Sequence, residues 1–320
     1  MRKIYTNIFI LFLILQLTES VSDSFTEKSH SKLIGMVRKE VVDKALVYLP
    51  KRVDINVLQM LIQLKKAKEN FTLNDAESAY LVYKWISQNI LENANKGEED
   101  ITKVYKYGNG NPSGISSLFN KMCNFLNIES DSISGLLKIY DDDVEHTWNY
   151  IVINGEYYLI DVKLGIDMNI IERKLSELLF NKDIFFGTEP EVFIRLHYPK
   201  EEKWQLLPES YTLEKFQSMP FLFVYFFMFN LKSVSPDTNK LENSGTIAFN
   251  YDESIQITDL TIFSFEENTL ERKTDFNISN GIVEVKYNIY KFQKTLGINI
   301  KINNFDFSFP IILYKIDNSK

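Results

Sequence analysis

No part of the chain constrains the fold more than the run from His146 to Asp161, HTWNYIVI, Asn154-Gly155 and EYYLID. Asn-Gly between two apolar-aromatic runs is the strongest short-range hairpin signal, because both residues tolerate the positive φ of a type I′ turn. A two-residue loop pairs Ile153 with Glu156, and that register predicts Trp148 opposite Asp161 and His146 opposite Lys163. His146, Trp148 and Asp161 then share one face, with His146 and Asp161 diagonal neighbours roughly 7–8 Å apart along the backbone. A carboxylate so placed orients an imidazole, and an oriented imidazole activates a Cys or Ser nucleophile where one is present. His146 and Asp161 are therefore the candidate catalytic pair. The competing reading makes His146 and Trp148 packing residues of a half-buried hairpin.

Other segments follow in a fixed order: Ala79–Ile90 (AYLVYKWISQNI), Gly114–Ile128 (GISSLFNKMCNFLNI), then the HTWN and YYLID of the hairpin. Phe185-Phe186, Pro190, Phe193-Ile194, His197-Tyr198-Pro199 and Trp204-Gln205-Leu206-Leu207 come later. This ordered set resembles the transglutaminase-like superfamily, and within it the kyphoscoliosis-peptidase type, over about residues 75–220. The resemblance implies an α+β fold with a transglutaminase-like (papain-like) core, a Cys-His-Asp triad, and a following immunoglobulin-like β-domain.

In active members of this family the nucleophile is a Cys at the start of the helix that resembles Gly114–Ile128, and the matching position here is Pro112. A helix N-terminus lowers a thiol pKa through its unpaired N–H groups and macrodipole. Proline suits the first turn sterically but carries no nucleophilic atom. Ser113 is the alternative nucleophile, one residue out of register, which turns its side chain by about 100°. The one cysteine, Cys123, lies further along the same helix between Phe119 and Leu126 at helical spacing, and reads as a buried core residue. Lys163, placed across from His146, is expected to disfavour the imidazolium of general-base catalysis. The site is thus predicted to be a remnant: His146 and Asp161 retained, the nucleophile lost.

With 320 residues, 45% of them hydrophobic, the chain can hold two packed domains. A net charge of −7 with dispersed lysines argues against nucleic-acid binding. Arg2 and Lys3 precede an apolar run from Ile8 to Leu15, followed by the small residues Ser20 and Ser22. That layout predicts a signal peptide over residues 1–22 and passage into the secretory pathway, with the protein secreted or at the cell surface. The run is too short for a membrane span of about 20 residues, so no span is expected after cleavage. A single Cys excludes an intrachain disulfide. His30, His146 and His197 show no ligand spacing, and Asp141-Asp142-Asp143 is no calcium loop. Neither a metal nor a cofactor is expected.

Beyond the signal region, residues 23–74 are expected to form an N-terminal helical extension, residues 75–215 the transglutaminase-like domain, and residues 216–320 a C-terminal β-sandwich. Asn74 or Asp75 can cap a helix running to Ile90. Phe221–Leu231 (FLFVYFFMFNL) reads as a fully buried strand, and later strands are expected within Gly245–Phe249, Ser254–Phe265, Gly281–Tyr290, Gly297–Ile302 and Phe305–Lys315. Three functions compete: an inactive homologue acting as a protein- or peptide-binding module, an active peptidase or transamidase using Ser113, and a purely structural scaffold. The missing Cys favours the first.

Overall fold

The computed structural model describes residues 32–92, 99–139, 142–174, 183–253, 255–265, 272–289, 294–302 and 308–316. The signal-peptide expectation and His30 lie outside the described residues. Helices come first: α1 (Lys39–Tyr48), α2 (Val57–Asn70), α3 (Asp75–Asn89), α4 (Ile101–Tyr107) and α5 (Pro112–Phe125). The short strands β1 (Leu91–Glu92) and β2 (Asn109–Gly110) pair in parallel around α4. Next come β3 (Ser130–Lys138), β4 (Asp143–Ile153), β5 (Glu156–Ile160), α6 (Val162–Lys174), β6 (Phe186–Thr188), α7 (Pro190–Phe193) and β7 (His197–Pro199). Among the described residues the five strands of this set form one antiparallel sheet in the order β6-β5-β4-β3-β7.

The start of α3 shows how the sequence locks the helical layer. Asn74 accepts the Glu77 N–H at 2.8 Å while Glu77 accepts the Asn74 N–H at 2.9 Å, a reciprocal cap that satisfies two otherwise orphaned donors. The Glu77 carboxylate is buried and also receives Nε and Nη2 of Arg38 at 2.5 and 2.8 Å, which fastens the segment before α1 onto α3. A forked guanidinium is suited to this two-point grip. Ala79, Leu81, Val82, Trp85 and Ile86 of α3 then pack with Ile115, Leu118, Phe119, Met122 and Cys123 of α5, and with Ile151, Ile153 and Ile160 of the sheet, in one apolar core.

The hairpin folds as its turn chemistry requires. Asn154 and Gly155 take φ of 52° and 80°, and Ile153 pairs with Glu156. The expected register stops short of Lys163, however. Pairing ends at Asn149 with Ile160, Asp161 turns the corner, and Lys163 enters α6, where it forms an ion pair with Asp167 at 2.7 Å. Lys163 therefore does not sit across from His146, whose partner in the sheet is Gly135 of β3. β4 pairs with β3 along its other edge from Ile151 back to Asp143, and with β5 only over Asn149–Ile153.

From α8 (Leu213–Ser218) onward the chain is mainly β. The aromatic run 221–231 is not a strand throughout: Phe221–Leu222 form β8, Val224–Met228 form the one-turn helix α9, and Asn230 takes φ of 54°. A short apolar run has no periodicity that separates buried strand from buried helix, so composition alone favoured the wrong element. The remaining strands are β9 (Lys232–Ser235), β10 (Ser244–Asn250), β11 (Ile257–Phe263), β12 (Arg272–Lys273), β13 (Phe276–Ser279), β14 (Ile282–Asn288), β15 (Thr295–Ile302) and β16 (Ser308–Lys315). They form two sheets, β13-β14-β10-β9 and β12-β11-β15-β16-β8. Phe249, Val283 and Val285 from one sheet share a single core with Leu260, Ile298, Ile300 and Ile312 from the other, which makes this half a β-sandwich. Leu137, Phe185 and Leu196 of the first half join that same core, and Lys138 Nζ donates to the carbonyls of Phe216 and Met219. The junction is packed.

Candidate functional site

Successive residues of β4 point to opposite sides of the sheet, and the two sides do different work. On one side Asn149, fully buried, donates its side-chain amide to the Ser116 carbonyl and hydroxyl at 3.1 and 2.8 Å and to Asn120 Oδ1 at 2.7 Å. Ser130 Oγ donates to Asn120 Oδ1 at 2.5 Å, and Asn124 Nδ2 donates to the Ser130 carbonyl at 3.0 Å. Ser130 of β3 lies opposite Ile151 of β4, so the contacts advance from Ser116 at Asn149 to Asn124 beside Ile151, and α5 and β4 run in the same direction. The N-terminus of α5, Pro112, therefore lies toward the end of β4 that carries His146.

On the other side of β4 stand His146 and Trp148. His146 Nε2 is 2.6 Å from Oδ2 of Asp161, which holds the corner between β5 and α6. Hairpin pairing brings the two residues to the same region, and the corner closes the remaining gap. Asp161 is itself fixed: its N–H donates to the Phe185 carbonyl at 2.9 Å, and its Oδ1 accepts the Leu164 N–H at 2.9 Å as a cap on α6. With Nε2 engaged, His146 keeps Nδ1 for a second partner. This is the arrangement by which a carboxylate fixes the orientation of a general-base imidazole.

A third residue, which the sequence spacing gave no reason to include, completes the cluster. His197 of β7 sets its Nε2 2.8 Å from the same Oδ2 of Asp161 and its Nδ1 3.3 Å from the Phe193 carbonyl. It reaches the site because β7 pairs with β3, which places Leu137 against His197. The ring stacks on Phe193 at 3.8 Å and meets Trp148 edge-on at 5.1 Å. The side chains of His146, Asp161 and His197 are 2%, 0% and 0% exposed. Burial by itself would raise the Asp161 pKa, but the charge and hydrogen bond of His146, with the hydrogen bond from His197, hold this carboxyl well below the usual carboxylate range. Burial pulls His197 the other way, below the ordinary imidazole value, against the opposing pull of Asp161.

The start of α5 is equally well defined. Asn111 caps α5 by accepting the Gly114 N–H at 2.8 Å, and Pro112 takes the first helical position, where its missing N–H costs nothing. Ser113, half-buried, follows in the same first turn. Cys123 is fully buried three turns along, in the core shared with Phe119, Met122 and Leu126, and burial pushes its thiol pKa up, away from the thiolate form that reacts. Asp143, from the acidic run before the hairpin, begins β4 and accepts from Gln217 at 3.3 Å.

The transglutaminase-like superfamily matches residues 63–162, a span that includes Pro112, Ser113, His146 and Asp161 and stops short of His197. Kyphoscoliosis peptidase of Mus musculus is 22% identical over 182 residues, covering 52% of this chain and 27% of that protein. Lim and transglutaminase domain protein ltd-1 of Caenorhabditis elegans is 25% identical over 233 residues, covering 62% of this chain and 31% of that protein. A solved structure of a TGase is 12% identical, with a TM-score of 0.26 over 49% of this chain and 37% of that one. The chain thus spans less than a third of the length of these two curated relatives. Residues 63–162 are a transglutaminase-like domain, and the protein that contains them is related to kyphoscoliosis peptidase.

Proposed function

We propose that this protein is a catalytically silent transglutaminase-like protein of the secretory pathway that serves as a protein- or peptide-binding module. One observation carries the reading: Pro112 occupies the first position of α5, where the family's thiol nucleophile would stand, while the His146–Asp161 pair is kept at 2.6 Å. Transfer of an acyl group through an enzyme intermediate needs an ionisable nucleophile beside the imidazole. Proline has none, and Cys123 is enclosed in the core. The basic, apolar and small-residue layout of residues 1–22 supports entry into the secretory pathway.

The test is an activity assay on the full chain. Purified protein incubated with a glutamine peptide and a primary-amine probe, and separately with peptide substrates, is expected to give no product above the protein-free blank. The Ser113→Ala variant should behave identically. Turnover that survives Cys123→Ala and disappears in Ser113→Ala would make Ser113 the nucleophile and the protein an enzyme.

A further inference from the structure

Asp161 needs one histidine to act as an orienting carboxylate, yet it has two, both buried and both aimed at the same oxygen. The donor count at His197 exposes a conflict. If its hydrogen sits on Nδ1 and donates to the Phe193 carbonyl, Nε2 presents a bare lone pair to Oδ2 of Asp161 at 2.8 Å. If the hydrogen sits on Nε2, the bare nitrogen faces the carbonyl. A ring protonated at both nitrogens would place a second charge among Phe193, Phe185 and Trp148, where burial disfavours it.

We infer that Nε2 of His146, Nε2 of His197 and Oδ2 of Asp161 form a binding site for one divalent transition-metal ion of the zinc class. An ion between Nε2 and Oδ2 removes the conflict at His197, because Nδ1–H then donates to the Phe193 carbonyl while Nε2 ligates. Metal-binding histidines are held in this way, with the second nitrogen pinned by a backbone carbonyl or carboxylate. Asp161 is prepared similarly, since its Oδ1 is occupied by the Leu164 amide and only Oδ2 faces the two rings. Two imidazoles and one carboxylate suit zinc or cobalt, whereas calcium and magnesium require more oxygen donors than this cluster offers. The three donor atoms lie within 4.8 Å of one another. Their N–O separations of 2.6 and 2.8 Å are shorter than the about 3.3 Å between ligands on a tetrahedral zinc, so binding spreads these donors by about 0.5–0.7 Å. Each ring binds in its neutral form, with the Nε2 hydrogen moved to Nδ1. The site does not depend on whether the domain is catalytically silent.

The experiment uses the full chain, stripped with a chelator and titrated with Co²⁺ by absorbance and with Zn²⁺ against a chromophoric chelator. One equivalent should bind, with the ligand-field bands of a four-coordinate cobalt and a rise in Tm. His197→Ala and His146→Ala should each weaken uptake at least tenfold, whereas His30→Ala and Cys123→Ala should leave it unchanged. Should His197→Ala fail to fold by circular dichroism, His197→Gln replaces it, since Gln can still donate to Asp161 but offers no imidazole. Absence of stoichiometric uptake by the parent protein overturns the inference and leaves a cluster that shares protons only. Uptake that persists undiminished in both histidine variants also overturns it, by placing the ion elsewhere.

Discussion

Asp161→Ala is expected to destabilise the protein by about 3–5 kcal/mol, since it removes the acceptor from three donors and a buried donor left unsatisfied costs about 1–3 kcal/mol. The carboxylate receives both imidazoles on one oxygen and caps α6 with the other, so its loss leaves two buried rings without their acceptor and the Leu164 N–H uncapped. Urea unfolding of parent and variant measures the difference directly. Asp161→Asn should lose less, because an amide oxygen can still accept from Leu164 while its NH₂ faces the rings. A midpoint for Asp161→Ala within error of the parent would show that the cluster contributes nothing to the fold.

Gly135→Ala should be nearly as damaging, for a steric reason. A Cβ at this position would overlap the Tyr198 carbonyl oxygen and would lie 2.8 Å from the Pro199 Cα and 2.5 Å from the Trp148 ring. The first two are backbone atoms of the β7 strand and cannot swing aside, so β7 must separate from β3 and carry His197 away from Asp161. A loss of about 3 kcal/mol is expected, at the upper end for one added carbon in a packed interior. Gly35→Ala, where the added carbon meets nothing within 4 Å, is the neutral control. Thermal unfolding of the three proteins checks this, and equal Tm values for Gly135→Ala and parent would contradict the described packing of Trp148 over β3.

The elements that were readable in the sequence are those with local causes. Asn154-Gly155 sets the hairpin through its own backbone preferences, Asn74 caps α3, and Pro112 starts α5 because its missing N–H is harmless there. The approach of His146 to Asp161 followed from the turn, although the corner at Asp161, where β5 gives way to α6, completes it. Extending the same register past Ile160 to Lys163 failed, since strand pairing ends where a neighbouring element claims the chain. The role of His197 was hidden for a related reason: it lies 36 residues from Asp161, and only the pairing of β7 with β3 brings it in. Phe221–Leu231 misled because an unbroken apolar run lacks the pattern that distinguishes strand from helix.

The central claim, that a working imidazole–carboxylate pair has outlived its nucleophile, is tested most directly by giving the nucleophile back. Pro112→Cys places a thiol in the first turn of α5, toward the His146 end of β4. Its alkylation rate should be followed against pH in chelator-treated protein, with the parent, whose single thiol is the buried Cys123, as the blank. Lys163 pairs with Asp167 and is not opposite His146, so Lys163→Thr should add nothing to the reactivity. The account predicts an apparent thiol pKa well below the ~8.5 of free cysteine, returning toward that value when His146→Ala is added. An introduced thiol that titrates like free cysteine, or whose reactivity ignores the loss of His146, would contradict it.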